Sequence, residues 1–335
     1  MSKIRISVLA GLAVFSGNLL WADGSLYVSD ASLDTVQVFD SVTGTLTGTL
    51  TPNGGWGTPT GIAVGPNGDV YVADSTNNVV DQFNGSGSFL GTFIGAGLVS
   101  PSGLTFGPDG NLYVANFGPG NDSYISRFNA SGNQVDGTPF VPSTTGLFDP
   151  GAITFGTDGN LYITDSSNGA LDKVIGSTGA FSTLVPAGCP ATPFSNPQGV
   201  AVGPGGNLYV SDAGFGCNGG AYGVYEYSTN GTLLADFIAP NVLSTPIDLA
   251  FGPDGNLYVT DSEARVALFN GTTGAELPDF VASNGSAGPL IDPTFLAFSP
   301  NMVATPEPAT VGLIGIGLAG LLLRRSRRSD GRFNG

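Results

Sequence analysis

The chain has 335 residues, among them 53 glycines and 23 prolines, and a formal net charge of −16 with no histidine. At 41% apolar residues, and without a strict three-residue period, it is neither disordered nor collagen-like, and its length allows a large core. Between Gly24 and Thr305, 23 acidic residues face only Arg127, Lys173 and Arg265, a net charge of −20. A field of that sign repels nucleic acid and anionic lipid and attracts cations, and it also keeps an exported protein soluble. Without histidine there is no Ser-His-Asp triad.

In chain order, Lys3 and Arg5 precede an apolar stretch from Val8 to Leu20, which reads as a secretory signal over residues 1–22 with cleavage near Ala22. Leu20 is bulkier than the small residue usual near such a site, so an uncleaved anchor is the alternative. Strand-like sequence begins at once at Ser25.

From there one pattern recurs six times, clearest as Gly107-Pro108-Asp109-Gly110-Asn111-Leu112-Tyr113-Val114-Ala115-Asn116. The glycines at 24, 68, 110, 159, 206 and 255 are 44, 42, 49, 47 and 49 residues apart. A period in the forties with strand-like content predicts propeller blades, none of which buries its apolar faces alone.

Each repeat reads as four antiparallel strands. An inner strand such as Gly61-Ile62-Ala63-Val64 or Asp248-Leu249-Ala250-Phe251 follows a proline. A tight turn such as Gly252-Pro253-Asp254-Gly255 leads to the Tyr-bearing second strand. The third strand, such as Val79-Val80-Asp81-Gln82-Phe83 or Ala170-Leu171-Asp172-Lys173-Val174, carries an apolar pattern, and a mixed outer strand ends the unit. The first copy lacks an inner strand, and Pro293-Thr294-Phe295-Leu296-Ala297-Phe298 supplies one at the other end. The prediction is therefore an all-β, six-bladed propeller over residues 23–301, with the C-terminal strand completing the N-terminal blade. Inner strands are expected to be packed on both faces.

The body resembles the NHL-repeat propellers through its Pro-x-Gly-(apolar)-Ala/Thr-(apolar)-Gly-Pro-Asp-Gly-Asn-Leu-Tyr-Val-x-Asp signature. That resemblance implies the fold but not one activity, because the family includes binding scaffolds, lyases and hydrolases. The histidine-held metal of the lyase members has no counterpart here. Lactonase-like relatives hold a divalent cation with acidic residues and asparagine, a set that does not transfer residue by residue.

Six residues end the second strands: Asp30, Asp74, Asn116, Asp165, Asp212 and Asp261. They should form a ring on one face. Side chains that accept backbone N–H bonds in the following turn explain one such residue per blade. The alternative is that several converge on Ca²⁺, the one cofactor the sequence suggests. Asp109, Asp158 and Asp254 belong to turns on the opposite face, where Asn67 and Gly205 replace them. Cys189 and Cys217 lie in loops at the same end of one blade, and export favours a disulfide between them over two free thiols. Trp56, Phe117, Tyr124, Phe215 and Tyr222 in or near loops are core packing or sugar-stacking candidates.

The last segment is Pro306-Glu307-Pro308, an apolar run from Ala309 to Leu323, and Arg324, Arg325, Arg327 and Arg328. As helix the run spans about 22 Å, short of the roughly 30 Å hydrocarbon layer unless the bilayer thins or the arginines snorkel. The arginines should stay cytoplasmic. These three parts resemble the PEP-CTERM sorting signal, which implies over residues 302–335 a temporary inner-membrane anchor, recognised and removed by an exosortase in a Gram-negative bacterium.

Together these readings predict an exported, non-enzymatic scaffold that binds a polysaccharide or protein partner at the cell surface or in the extracellular matrix. A divalent-metal-dependent lyase or hydrolase of lactone or polysaccharide is the first alternative, and a purely structural matrix protein the second.

Overall fold

The structure is a computed structural model and describes residues 24–135, 137–188, 195–214, 222–283 and 288–299. The signal and sorting segments lie outside these residues. Gly24–Asn301 form one compact unit. Blade 1 contains β1 (Ser25–Asp30), β2 (Thr35–Asp40), β3 (Leu46–Leu50) and the last strand, β23 (Pro293–Phe298). Blade 2 is β4 (Pro59–Val64), β5 (Val70–Asp74), β6 (Val79–Phe83) and β7 (Phe89–Ile94). Blade 3 is β8 (Pro101–Phe106), β9 (Leu112–Asn116) and β10 (Tyr124–Phe128). Blade 4 follows as β11 (Pro150–Phe155), β12 (Leu161–Asp165), β13 (Ala170–Val174) and β14 (Phe181–Val185). Blade 5 is β15 (Pro197–Val202), β16 (Leu208–Asp212), β17 (Gly223–Tyr227) and β18 (Leu233–Ile238). Blade 6 is β19 (Pro246–Phe251), β20 (Leu257–Asp261), β21 (Arg265–Phe269) and β22 (Glu276–Val281). All pairings within the blades are antiparallel, and the inner strands contact one another cyclically in the order β23, β4, β8, β11, β15, β19.

Blade 3 departs from the four-strand expectation. Its outer position is reduced to isolated bridges, Ile125 with Val141 and Phe128 with Gln134. Gly137 (φ 63°) and Pro139 interrupt the segment between the bridges, and proline cannot donate to a ladder.

The ring closes as the repeat count requires. Leu26, Tyr27 and Val28 pair with Phe298, Ala297 and Leu296. Beyond them Ser299 N donates to Ser25 O (2.8 Å) and Ser25 N to Ser299 Oγ (2.6 Å).

Burial corrects one expectation. The second strands, not the inner ones, are buried at every position in blades 2 to 6, whereas the inner strands mix buried positions with half-buried ones such as Thr60, Val64, Ser102 and Phe106. Outer strands leave Leu46, Leu90 and Leu234 exposed on the rim. Second-strand tyrosines join the blades. Tyr71 lies edge-on to Phe93 and to Phe106 of blade 3, Tyr209 to Phe237 and to Phe251 of blade 6, and Tyr258 to Phe280 and to Phe298 of blade 1, with ring centroids 4.8–5.1 Å apart. Each such pair contributes about 0.5–1.5 kcal/mol beyond its buried area.

Near its start every inner strand shifts register against the second strand, between Pro59 and Ile62 in blade 2 and at the matching place elsewhere. Such a bulge leaves an amide out of the ladder, and it must find another acceptor. In blades 4, 5 and 6 a second-strand hydroxyl takes that bond and gives its own proton to the next blade. Thr164 Oγ1 accepts from Ala152 N (3.0 Å) and donates to Gln198 O (2.7 Å). Ser211 does the same between Gly199 N and Ile247 O, and Thr260 between Asp248 N and Thr294 O. In blades 2 and 3 this position holds Ala73 and Ala115, and the bond to the next blade comes from an inner-strand hydroxyl: Thr60 Oγ1 donates to Pro101 O (2.9 Å) and Ser102 Oγ to Pro150 O (2.6 Å). Beside the bulges there is no space to spare, since a Cβ on Gly61 would meet Ser102 O and one on Gly103 would meet Gly151 O.

Candidate functional site: the carboxylate ring and the central channel

Each residue of the ring predicted from the sequence sits opposite the proline that opens its blade's inner strand, as in Asp74 with Pro59 and Asn116 with Pro101. All six side chains are buried. Asp30, Asp74, Asp165 and Asp212 bond the following turn, as expected, but the partners shared by all six are amides of the preceding loop that leads into the inner strand. Asp74 accepts from Gly57 N (2.7 Å) and Thr58 N (3.1 Å), and from Asn77 N and Nδ2. Asp165 accepts from Phe148 N (2.9 Å), Asp149 N (3.0 Å) and Asn168. Asp212 takes Ser195 N, Asn196 N and Gly214 N, and Asp261 takes Ser244 N, Thr245 N and Arg265 Nη2 (2.9 Å). In the closing blade Asp30 binds Ile291 N (2.6 Å) and Asp292 N (3.1 Å), as well as Ser32 N and Leu33 N. Asn116 needs one oxygen only, accepting from Val99 N (3.0 Å) while its Nδ2 donates to Val114 O. Burial alone would raise the Asp74 carboxyl, yet the Gly57, Asn77 and Thr58 amides hold it below the ordinary value.

These carboxylates are therefore turned into their own loops, and N–H groups occupy the positions a cation would take. Among the described residues no three His, Cys, Asp or Glu side chains are spaced to hold a metal ion.

At the opposite, turn face, acids anchor the tyrosines. Asp109 Oδ2 accepts from Tyr113 OH (3.0 Å) and Asn111 Nδ2 (2.7 Å), and Asp158 and Asp254 repeat this with Tyr162 and Tyr258. Where Gly205 stands in the turn, Glu226 from β17 takes Tyr209 OH and Asn207 Nδ2. Where Asn67 stands, Asp69 and Gln82 close the network around Tyr71. Arg127 lies 3.9 Å from Asp109 and Lys173 3.2 Å from Asp158, while Arg265 contacts Asp261, Glu263, Glu276 and Asp279. All three cations of the body are thus engaged by its acids. Burial acts to raise Asp158, but bonds from Asn160, Tyr162 and Lys173 outweigh it and lower the carboxyl to about 2.

Three buried acids were not apparent as such in the sequence. Asp81 and Asp172 lie at the middle of third strands, and Asp248 at the bulge of β19. Asp81 is raised by burial, against its bond from Thr92 Oγ1 (2.8 Å). Asp172 is pushed up to about 7, first by burial and then by the Asp165 charge, and its Oδ1 has no hydrogen-bond partner. Asp248, also raised to about 7 by burial, accepts from Leu296 N of blade 1 (3.1 Å) and borders the central channel. The channel is a cavity of about 380 Å³, continued at the turn face by an apolar mouth of about 670 Å³ bordered by Phe106, Phe251 and Phe298.

Of the aromatic candidates, Trp56 is a packing residue, its ring against Phe83 and its Nε1 donating to Leu50 O. Tyr124 OH donates to Gly97 O (3.2 Å) and Tyr222 is half-buried. Phe117 is 42% exposed on the loop face, bonded through its amide to Ser100 O of the neighbouring loop, whose Val99 is 39% exposed. Phe215, Cys189 and Cys217 lie outside the described residues, as do Pro306, Glu307, Pro308, Arg324 and Arg325. Among the described residues no helix is long and apolar enough to cross a membrane.

Sequence comparison finds NHL repeats at residues 57–83 and 194–219 and a PEP-CTERM protein-sorting motif at residues 304–328. No curated protein matches the chain. Among solved structures the body is similar to a chain of a nidogen/laminin complex, at 16% identity and a TM-score of 0.63 over 83% of this chain and 99% of that one. It is also similar to a virginiamycin B lyase from Staphylococcus aureus solved with quinupristin (18% identity, TM-score 0.54, 85% and 87% covered). A gluconolactonase from Xanthomonas campestris is a third (15% identity, TM-score 0.51, 76% and 83% covered). At these identities the likeness is one of fold.

Two predictions follow from these carboxyls. Asp74→Ala leaves two loop amides without an acceptor and should cost about 2–5 kcal/mol in chemical denaturation, with Asp74→Asn costing less because Asn116 already serves this role; calcium should restore neither. Asp172 and Asp248 have folded-state pKa values above those of the unfolded chain, so their stabilising contribution is complete below about pH 4 and is lost as pH rises through about 7. Thermal melts should therefore show the midpoint falling between pH 5 and pH 8, and Asp172→Asn should flatten that fall.

Proposed function

We propose that the protein is an exported, rigid six-bladed scaffold that binds a polysaccharide or protein partner through its loop face and has no catalytic role of its own. The observation that carries this reading is the use of the ring carboxylates. A face whose recurrent acids are consumed in fixing six loops suits presentation of a surface better than acid–base or metal chemistry. Phe117 and Val99, exposed on adjoining loops of that face, supply the apolar contact such a surface needs. The sorting motif implies processing by an exosortase, which supports display at the cell surface. Its apolar run and following arginines suit a transient inner-membrane anchor in a Gram-negative bacterium. Cys189 and Cys217 would staple the enlarged loops of blade 5 in that oxidising setting.

The reading is tested by glycan arrays and surface-protein pull-downs with the full chain, with and without a chelator. A partner should be retained regardless of chelation, and Phe117→Ala should weaken binding about tenfold. No partner in either condition would contradict the reading. So would turnover of a lactone or polysaccharide that chelation abolishes and a divalent ion restores, which would favour the enzymatic alternative.

A further inference from the structure

The third position of the inner strand is Gly61, Gly103, Ala152 and Gly199 in blades 2 to 5. In blades 6 and 1 it is Asp248 and Phe295. The small residues reflect crowding: a Cβ on Gly199, for example, would lie 2.8 Å from Asp248 Cα. The two large residues occur on neighbouring strands, and both border the channel. Phe295 packs against the cluster that includes Ala152 and Val200 on blades 4 and 5, so its ring reaches across the channel. The cavity extends along the inner strands from this third position to the last residues, Val64, Phe106, Val202 and Phe251, and the first two positions of each strand are not part of its wall. Those first positions carry the carbonyls that the interblade hydroxyls bind, for example Pro101 O, Gln198 O and Ile247 O.

The cavity opens, past Val64, Phe106 and Phe251, into the apolar mouth at the turn face, which those three residues also border. From Asp248 to Phe251 it runs about 10 Å at about 3.3 Å per residue. Its lining residues are mostly Ala, Val, Leu, Ile and Phe, together with Gly103, with Thr105 and Thr154 as the hydroxyl-bearing members and with Asp248 as the one ionisable residue, and polar atoms share the exposed wall with these side chains. On β20, the strand paired with β19, Tyr258 is engaged with Asp254, and Asp261 with Ser244, Thr245 and Arg265. No cation faces Asp248 among the residues that line the cavity.

We propose that this channel is a binding site for a primary alkylammonium ion, with its aliphatic chain along the Val and Phe walls and its ammonium group at the Asp248 carboxylate. The chemistry eliminates other classes. A single carboxylate cannot supply the six to eight oxygens that calcium requires. An anion would meet both the buried carboxylate and the strongly negative body. A neutral hydrocarbon would leave that carboxylate without a counter-charge, whereas an ammonium ion supplies both charge and donors. The raised affinity of Asp248 for a proton comes first from burial and accords with a carboxyl that no cation in the cavity wall faces, and bound amine would displace that proton. The site is independent of the loop-face partner proposed above, so either can fail alone.

The test is calorimetric titration of the full chain at pH 8 with n-hexylammonium chloride, 1-hexanol and sodium hexanoate. Hexylammonium should bind at least about tenfold more tightly than hexanol, and hexanoate should not bind. Asp248→Asn should bring the amine and alcohol to equal affinity. In the unsubstituted chain, titration at pH 5 should also remove most of the amine's advantage, an outcome that does not depend on the variant folding. Equal affinity for amine and alcohol at pH 8 would overturn the proposal, as would no binding of the amine. A preference that persists in Asp248→Asn would also overturn it, by assigning the amine to the acidic outer surface.

Discussion

The whole ring depends on one pairing between residues about as far apart in sequence as the fold allows. β23 closes on β1, and the Asp30 carboxylate holds Ile291 and Asp292 at the start of the returning strand, 261 and 262 residues away. Such contacts close a loop through the whole intervening chain, at an entropic cost that grows slowly with its length, and they remove the two sheet edges that an open array would expose. Five blades are continuous in sequence, and only blade 1 is assembled from both ends. Phe298, the last residue of β23, also stacks edge-on to Tyr258 of blade 6, so closure completes a blade and an interblade contact together.

Around that closure the blades follow one rule with interchangeable parts. The hydroxyl that links adjacent blades sits on the second strand in Thr164, Ser211 and Thr260 and moves to the inner strand in Thr60 and Ser102, where the second strand has alanine. The carboxylate that binds the blade tyrosine comes from the turn in Asp109, Asp158 and Asp254, and from β17 as Glu226 where the turn has glycine. The need is set by geometry: a carbonyl or a phenol at a blade interface requires a partner, and its source is free to vary. Departures without such an exchange therefore stand out. Asp248 and Phe295 stand where blades 2 to 5 have glycine or alanine, and the unpartnered oxygen of Asp172 lies against the charge of Asp165.

Much of this was legible in the sequence. The Gly-Pro-Asp-Gly turns, the Tyr-bearing strands and the Pro293–Phe298 segment fixed the blade number, the closure and the two faces, because turn chemistry and apolar strands are local signals. The ring from Asp30 to Asp261 was legible as positions but only partly as bonds. Its principal donors are backbone amides of Gly57, Phe148 or Ile291, which any residue type provides and no motif marks. Asp81 and Asp172 were hidden in strands that read as apolar, and Asp248 in an inner strand whose third position is glycine or alanine in blades 2 to 5. The alternation of Ala73 and Ala115 with Thr164, Ser211 and Thr260 was in plain view, yet it acquires meaning only once the bulge places that side chain between two blades.

Hydrogen exchange followed by mass spectrometry tests the closure most directly. If β23 is an integral strand, peptides covering Leu296–Phe298 and Leu26–Val28 should exchange together, as slowly as the buried second strands β9 and β16, because opening them requires global unfolding. Exchange of β23 orders of magnitude faster than β16, with β1 left exposed as an edge, would contradict the account.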